Sequence, residues 1–150
     1  MQKDLIKLAL KIATEAHKGR FRKDGKTPYI THPIAVAKIF EGKQSYTQNV
    51  LGYNLKTLQI IALLHDVVED SNIKCIELKN RGMSFEIVDA VAMLTRTENK
   101  SYLNYLLDIK TNILAKFVKI EDIKHNLSTL DSKNKTMKDK YELALYILEQ

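Results

Sequence analysis

The stretch ALLHDVVED, residues 62–70, places four ionisable side chains in a mostly apolar segment. His65 lies four residues before Glu69, and Asp66 lies four residues before Asp70, so each pair shares one face of a helix. Burying such groups is costly unless they are paired or bind a metal ion. Acids near a helix C-terminus also oppose the helix dipole, so local stability does not explain them. An imidazole beside a carboxylate on a half-buried helix therefore predicts half of a metal site.

Two more residues could complete that site. His32 stands at the beginning of a predicted helix, and Asp122 interrupts a small or apolar stripe that includes Ala115 and Val118. A mixed set of imidazole and carboxylate ligands suits a divalent cation that keeps water ligands, with Mn²⁺ a good candidate. A closed structural zinc site would want four ligands and usually sulfur. The alternative interpretation is a core histidine followed by acids exposed at a helix end.

These residues must be positioned by helices, because apolar residues recur at three- and four-residue spacing almost throughout the chain. Strand-like alternation nowhere exceeds a few residues, so we predict a compact all-α domain, residues 1–150, with seven or eight helices. Ser84 and Ser101 are predicted N-caps. The predicted helices span residues 3–18, Pro33 to near Gly42, about 55–69, 73–81, 85–95, 102–110, 112–127 and about 137–149, with a loop of about ten residues after the second.

Composition excludes several classes of protein. The chain has 150 residues, a 45% hydrophobic fraction and a net charge of +6. No apolar run approaches the roughly 20 residues of a membrane span, and charges interrupt the N-terminal segment, which excludes a signal peptide. The one cysteine, Cys75, rules out an internal disulfide and suits the cytoplasm. The positive charge favours anionic partners but is more typical of a solvated surface than of a nucleic-acid face, and a small anionic substrate fits it equally well. The sequence does not indicate an oligomeric state.

Three sequence blocks, in order, carry a resemblance to a known family. They read AHKGRFRKDGKTPYITHPIAVAKIF, ALLHDVVEDS and AKFVKIEDIKHNLSTL. They resemble the H…HD…D signature of the HD superfamily of metal-dependent phosphohydrolases. The match is closer to the hydrolase domain of the RelA/SpoT alarmone proteins and to related small stand-alone hydrolases. It covers about residues 8–130, and three blocks in this order are strongly specific.

The resemblance implies a helical HD-domain fold, metal ligands, acids that activate and orient the attacking water, and residues that hold a nucleotide. The implied reaction removes the 3′-pyrophosphate of (p)ppGpp to give GDP or GTP and pyrophosphate. The matching positions are His32, His65, Asp66 and Asp122 as metal ligands, Glu69 and Asp70 as the water-activating acids, Arg22 near the base, Lys23 near phosphate, and Asn126 and Thr129 lining the pocket.

Two departures from the family pattern leave alternatives open. Glu121 stands where a small residue is usual, and we expect it to be exposed because it should point away from Asp122. Residues 93–111 match the alarmone hydrolases least well, which leaves room for another nucleotide substrate, such as NADPH, a (d)NMP or a (d)NTP. A third reading is a non-catalytic nucleotide-binding HD module. The retained Glu69 and Asp70 argue against it, because a decayed enzyme has no chemical reason to keep them.

Overall fold

A computed structural model describes residues 2–41 and 55–150 of the chain, and it is helical in nearly all of its regular structure. Within these residues the one strand-like pairing is an isolated bridge between Phe21 and Pro28. The predicted all-α class is confirmed. The helices are α1 (Gln2–Ala16), α2 (Thr31–Ile39), α3 (Leu55–Leu64), α4 (Val67–Asp70), α5 (Cys75–Asn80), α6 (Phe85–Leu94), α7 (Tyr102–Lys110), α8 (Ile113–Ser128) and α9 (Lys135–Glu149).

The predicted helix over residues 55–69 is interrupted at its functional end. α3 ends at Leu64, and α4 is a single turn that begins at Val67. The Nδ1 atom of the His65 ring lies 2.5 Å from the carbonyl oxygen of Ala62. In an uninterrupted helix that carbonyl would accept from the N–H of Asp66, so the imidazole competes with the helix ladder. Counting α3 and α4 as one gives eight helices among the described residues.

Polar side chains cap the last four helices at their first turns. The Ser84 and Ser101 hydroxyls accept hydrogen bonds from backbone N–H groups two or three residues into α6 and α7, as predicted. Asn112, predicted inside a helix, is instead the N-cap of α8, and Asn134 caps α9. The predicted end of the second helix near Gly42, and the loop after it, lie outside the described residues.

The core forms around α3 and α8; His65 directly follows α3, and Asp122 lies within α8. Leu58, Ile61 and Leu64 of α3 are fully buried, as are Val118 and Ile123 of α8. α3 packs against α1, α2, α6 and α8, and α8 packs also against α2, α6, α7 and α9. Tight packing on several sides fixes both helices, so side chains at their ends are held within a rigid frame.

The enclosure of α8 corrects the expectation for Glu121. That side chain is buried, with 7% of its surface exposed. It does point to a different side of the helix from Asp122, but neighbouring helices cover α8 on most of its circumference. The prediction that Glu121 is exposed is therefore wrong, because it did not allow for the helices packed around α8. In the described part of the chain, none of the helices is long and apolar enough to cross a membrane.

Candidate metal and nucleotide site

The predicted ligands converge where α2, the break between α3 and α4, and α8 meet. His32, His65 and Asp122 each offer an atom within 4.8 Å of the others, a group that could hold a metal ion. The Oδ1 atom of Asp122 lies 2.7 Å from Nε2 of His32 and 3.4 Å from Nε2 of His65. Asp66 joins them, with Oδ2 3.1 Å from Nε2 of His65 and 4.0 Å from Nε2 of His32. The structure thus brings together four residues that span ninety positions of sequence.

The ring nitrogens of the two histidines have distinct surroundings. A backbone carbonyl can only accept, so Nδ1 of His65 donates to Ala62 and Nε2 faces the carboxylates. That Nε2 atom is buried and makes no well-aligned hydrogen bond to the described residues, although Oδ2 of Asp66 lies 3.1 Å from it. His32 presents Nε2 to Asp122, and its Nδ1 lies 2.7 Å from Nδ1 of His125. Buried polar atoms nearly always make good hydrogen bonds, so a nitrogen aimed between two carboxylates without one fits a metal ligand.

The ionised carboxylates of the cluster favour the binding of a cation. Burial favours the neutral form of Asp122, but Lys119 and His65 outweigh it and hold its pKa well below the usual range. Burial likewise opposes a charge on His65, yet Asp66 and Asp122 hold its pKa well above the usual value. The pKa of Asp66 is lowered in turn, because His65 and the Tyr29 hydroxyl outweigh the effect of burial. Two ionised carboxylates buried this close together require positive charge between them.

Each carboxylate is also oriented by neighbours outside the cluster. The Tyr29 hydroxyl donates to Oδ2 of Asp66 over 2.6 Å. The Lys119 ammonium donates to Oδ2 of Asp122 over 2.8 Å, and the Asn126 amide donates to Oδ1 over 3.2 Å. Such partners fix the direction of ligand lone pairs in metal sites. Asp122 therefore presents a defined oxygen to the cluster.

Glu69 and Asp70 follow the ligands on the single turn of α4. The Glu69 Oε1 atom accepts from the backbone N–H of Arg96 over 2.8 Å. The Arg20 guanidinium donates to the Asp70 carbonyl and lies 3.4 Å from its Oδ1 atom. Burial raises the pKa of both carboxyl groups, and the nearby Asp66 charge adds to the effect. A carboxyl group with a raised pKa is better suited to exchange protons near neutral pH.

A cavity of about 470 Å³ opens beside the cluster. All four residues predicted to bind the nucleotide, Arg22, Lys23, Asn126 and Thr129, line it. The Arg22 guanidinium donates to the Asn126 amide oxygen over 3.1 Å and to the Thr129 hydroxyl over 2.9 Å. It also lies 5.8 Å from the centroid of the Tyr29 ring. These contacts hold the guanidinium plane in one place, where an aromatic base could stack on it.

A short hairpin carries Arg22 and Lys23 to the cavity. The Arg22 N–H donates to the Thr27 carbonyl over 2.8 Å. The Asp24 carboxylate accepts from Thr27 through its N–H and hydroxyl, which lowers the Asp24 pKa to about 2. Gly25 closes the turn with φ +73°, a region that favours glycine. The RKDGKT stretch thus forms a turn that places the Arg22 and Lys23 side chains at the cavity.

Further cations gather at the side of the site nearest α7 and α9. The Lys140 ammonium lies 4.2 Å from the centroid of the Tyr102 ring, and the Arg96 guanidinium lies 5.5 Å from it. Burial and the charges of Arg96, Lys119 and Lys23 lower the pKa of Lys140. Mutual repulsion of this kind is relieved by an anionic ligand.

Sequence reasoning missed the partners that orient the ligands. Lys119 precedes Asp122 by three residues on one helix, a spacing that could have revealed it. The sequence alone indicated no ligand-orienting role for Tyr29 or His125. Their contacts join segments far apart in sequence, which periodicity does not show.

No protein-family model matches the chain. Among curated proteins it is similar to guanosine-3′,5′-bis(diphosphate) 3′-pyrophosphohydrolase from Haemophilus influenzae, with 37% identity over 81% of this chain and 18% of that protein. It is also similar to guanosine-3′,5′-bis(diphosphate) 3′-pyrophosphohydrolase MESH1 from Xenopus tropicalis, with 33% identity over 84% of this chain and 69% of that protein. The bifunctional (p)ppGpp synthase/hydrolase SpoT of Escherichia coli is 32% identical over 85% of this chain.

The fold is also similar to that of a solved structure. It is described as a metazoan ortholog of SpoT that hydrolyzes ppGpp, and it covers 96% of this chain and 83% of its own, with a TM-score of 0.70 and 22% sequence identity. The chain spans about a fifth of the length of the Haemophilus influenzae and Escherichia coli relatives, 18% in each case.

Proposed function

The chain belongs to the family of guanosine-3′,5′-bis(diphosphate) 3′-pyrophosphohydrolases, and from this premise we propose that it removes the 3′-pyrophosphate of (p)ppGpp. The products are GDP or GTP and pyrophosphate. The family membership agrees with the resemblance of the three sequence blocks to the HD-type alarmone hydrolases.

One observation carries the proposal: the four predicted ligand residues converge beside a cavity that all four predicted nucleotide-binding residues line. α8 joins the two halves, because Asp122 belongs to the cluster while Asn126, one turn later, lines the cavity. A phosphate bound at the cluster and a base bound against Arg22 would therefore belong to one ligand. The cations near Tyr102 support a substrate with several negative charges.

His32, His65, Asp66 and Asp122 would hold one divalent cation, which we take to be Mn²⁺ because the set mixes imidazole and carboxylate ligands. When bound, such a cation neutralises phosphate charge and lowers the pKa of a water molecule. The Nε2 atom of His65, which makes no well-aligned hydrogen bond, and the two carboxylates beside it fit this group.

The remaining steps fall to groups of the chain itself. Glu69 and Asp70 would orient the attacking water and take up its proton, a role that their raised pKa values support. Arg22 would stack on the base, while Asn126 and Thr129 keep the guanidinium in plane. Lys23 would act as a point charge toward phosphate.

A nucleotide panel tests the assignment. Purified protein with Mn²⁺ is incubated with ppGpp, pppGpp, NADPH, several (d)NMPs and several (d)NTPs, and products are separated by anion-exchange chromatography. We expect GDP or GTP and pyrophosphate from the alarmones, and no comparable turnover elsewhere. Turnover of another nucleotide without turnover of ppGpp would refute the substrate. Absence of hydrolysis with every divalent cation would favour a binding module.

We further propose that residues 1–150 act as one hydrolase domain in the cytoplasm, with a small nucleotide and not a nucleic acid as ligand. The single cysteine supports a reducing compartment. A salt-sensitive mobility shift with RNA at physiological ionic strength would contradict the second part.

A further inference from the structure

His125 occupies a position next to the cluster that none of the predicted roles covers. It lies on the last turns of α8, and its ring centroid is 4.9 Å from that of His32. The two Nδ1 atoms are 2.7 Å apart, a hydrogen-bond distance. A hydrogen bond between the two Nδ1 atoms forms only if one of them carries a proton and the other does not. The contact therefore couples the protonation of one ring to that of the other.

The chemistry of metal binding decides which nitrogen must be protonated. A histidine that binds a cation through Nε2 keeps that nitrogen free of hydrogen, so its proton lies on Nδ1. The Nε2 atom of His32 faces Asp122 and the rest of the cluster, and its Nδ1 atom faces His125. In a metal-binding His32, Nδ1 therefore donates and needs an acceptor, and the structure provides one in Nδ1 of His125.

The backbone around His125 is fixed independently of this contact. Its carbonyl accepts from the Ser128 hydroxyl over 2.7 Å and from the Thr129 N–H over 3.2 Å. The neighbouring Asn126 binds Asp122. The ring is therefore presented by a well-ordered helix end, which allows it to hold His32 in one orientation.

We propose that His125 is a positioning residue, which accepts a hydrogen bond from Nδ1 of His32 and so directs Nε2 of His32 toward a bound divalent cation. The inference rests on the metal site of the proposed function and is independent of which nucleotide is cleaved. Partners of this kind commonly change metal affinity by about 10- to 100-fold when removed.

Three substitutions separate this role from simple packing. His125→Asn places an amide oxygen where Nδ1 stands and keeps an acceptor for His32. His125→Gln carries its amide further out, near the position of Nε2, and His125→Leu removes the acceptor altogether. Metal is stripped with a chelator, and Mn²⁺ affinity is measured without nucleotide by electron paramagnetic resonance of the free ion.

We expect the leucine and glutamine variants to raise the Kd for Mn²⁺ by about 10- to 100-fold, and the asparagine variant to stay close to the wild-type value. Lys124→Gln, an exposed change on the same helix, should leave the Kd unchanged. Thermal unfolding of the metal-free proteins should be alike, which excludes a folding defect.

The proposal is overturned if the leucine variant binds Mn²⁺ as tightly as wild type, if asparagine is as weak as leucine, or if the wild type binds no Mn²⁺. If the Kd values for Mn²⁺ follow the expected order but the wild-type protein does not hydrolyse ppGpp, the assigned substrate is refuted and this inference stands.

Discussion

The metal cluster and the nucleotide cavity are adjacent but built in different ways. The side chains of the predicted ligands His32, His65 and Asp122 are buried where three core helices meet. The cavity is formed by a surface hairpin and the end of α8, and its Arg22 contacts run to neutral groups. The charged groups of the cluster pair directly with one another. In the cavity, Arg22 is partly exposed to solvent and Lys23 is exposed. Under the proposed function, the chemistry would therefore depend on the rigid core, and the choice of substrate would depend on a more exposed surface.

The largest effect should come from removing the acids of α4. Glu69→Gln and Asp70→Asn retain shape and remove the charge that takes up a proton. We expect each to lower kcat by about 10²- to 10⁴-fold, the usual contribution of general acid–base catalysis. Mn²⁺ affinity and melting temperature should be nearly unchanged. Asp139→Asn, an exposed acid of α9, serves as the control, and a variant of either acid that keeps full activity would contradict the role.

Removing the cation that compensates the cluster should cost stability. Lys119→Met leaves the buried Asp122 carboxylate without its ammonium partner. We expect the metal-free protein to lose about 3–5 kcal/mol in its free energy of unfolding, the usual cost of breaking a buried ion pair. Urea denaturation measures it.

Added Mn²⁺ should restore more stability to this variant than to wild type. The double variant with Asp122→Asn should be less destabilised than the sum of the single changes, because each single change leaves one charge of the pair without its partner and the double variant leaves none. Strict additivity would show that the pair does not interact.

A histidine behind the cluster should make stability depend on pH. His17 is buried against the Tyr29 ring, and burial lowers its pKa to about 4. Below pH 6.5 His17 binds a proton in the unfolded chain but not in the folded chain. The free energy of unfolding therefore falls as the pH drops from about 6.5 to 4. We expect His17 to account for about 3 kcal/mol of that fall.

The comparison of wild type with His17→Leu by urea denaturation at several pH values isolates this contribution. The variant should show a shallower loss between pH 6.5 and 4. Parallel curves for the two proteins would show that His17 is not held neutral.

The smallest effect should come from the cavity. Arg22→Lys keeps the positive charge and loses the planar group that bonds both Asn126 and Thr129. We expect KM for ppGpp to rise about tenfold, since uniform binding is lost, with kcat nearly unchanged. Steady-state kinetics measures both, and Lys26→Arg on the same hairpin is the control. A loss confined to kcat would place Arg22 with the cluster and remove the contrast between the two regions.

The sequence predicted what depends on local patterns. Apolar spacing located the helices, and Ser84 and Ser101 were recognised as caps because their hydroxyls act within one turn. The order of the three blocks identified the family. The residues named as ligands and as nucleotide contacts lie together as expected, while their chemical roles remain predictions.

What the sequence did not reveal depends on contacts between distant segments. The break after Leu64 follows from an imidazole that takes a backbone carbonyl, and helical periodicity does not register a side chain that competes with the ladder. Glu121 was expected to be exposed because its face was known and the packing around α8 was not. The Tyr29–Asp66 bond joins residues 37 apart, which only tertiary structure shows.

A single helix, α8, contributes residues to both the metal cluster and the cavity. Asp122 belongs to the cluster, Asn126 follows one turn on, and Thr129 ends the helix. At 1.5 Å per residue these lie about 6 Å and about 10 Å along the axis from Asp122. If the proposed function holds, the helix fixes the distance between the phosphate and the base of the substrate, and so it selects ligands by their length.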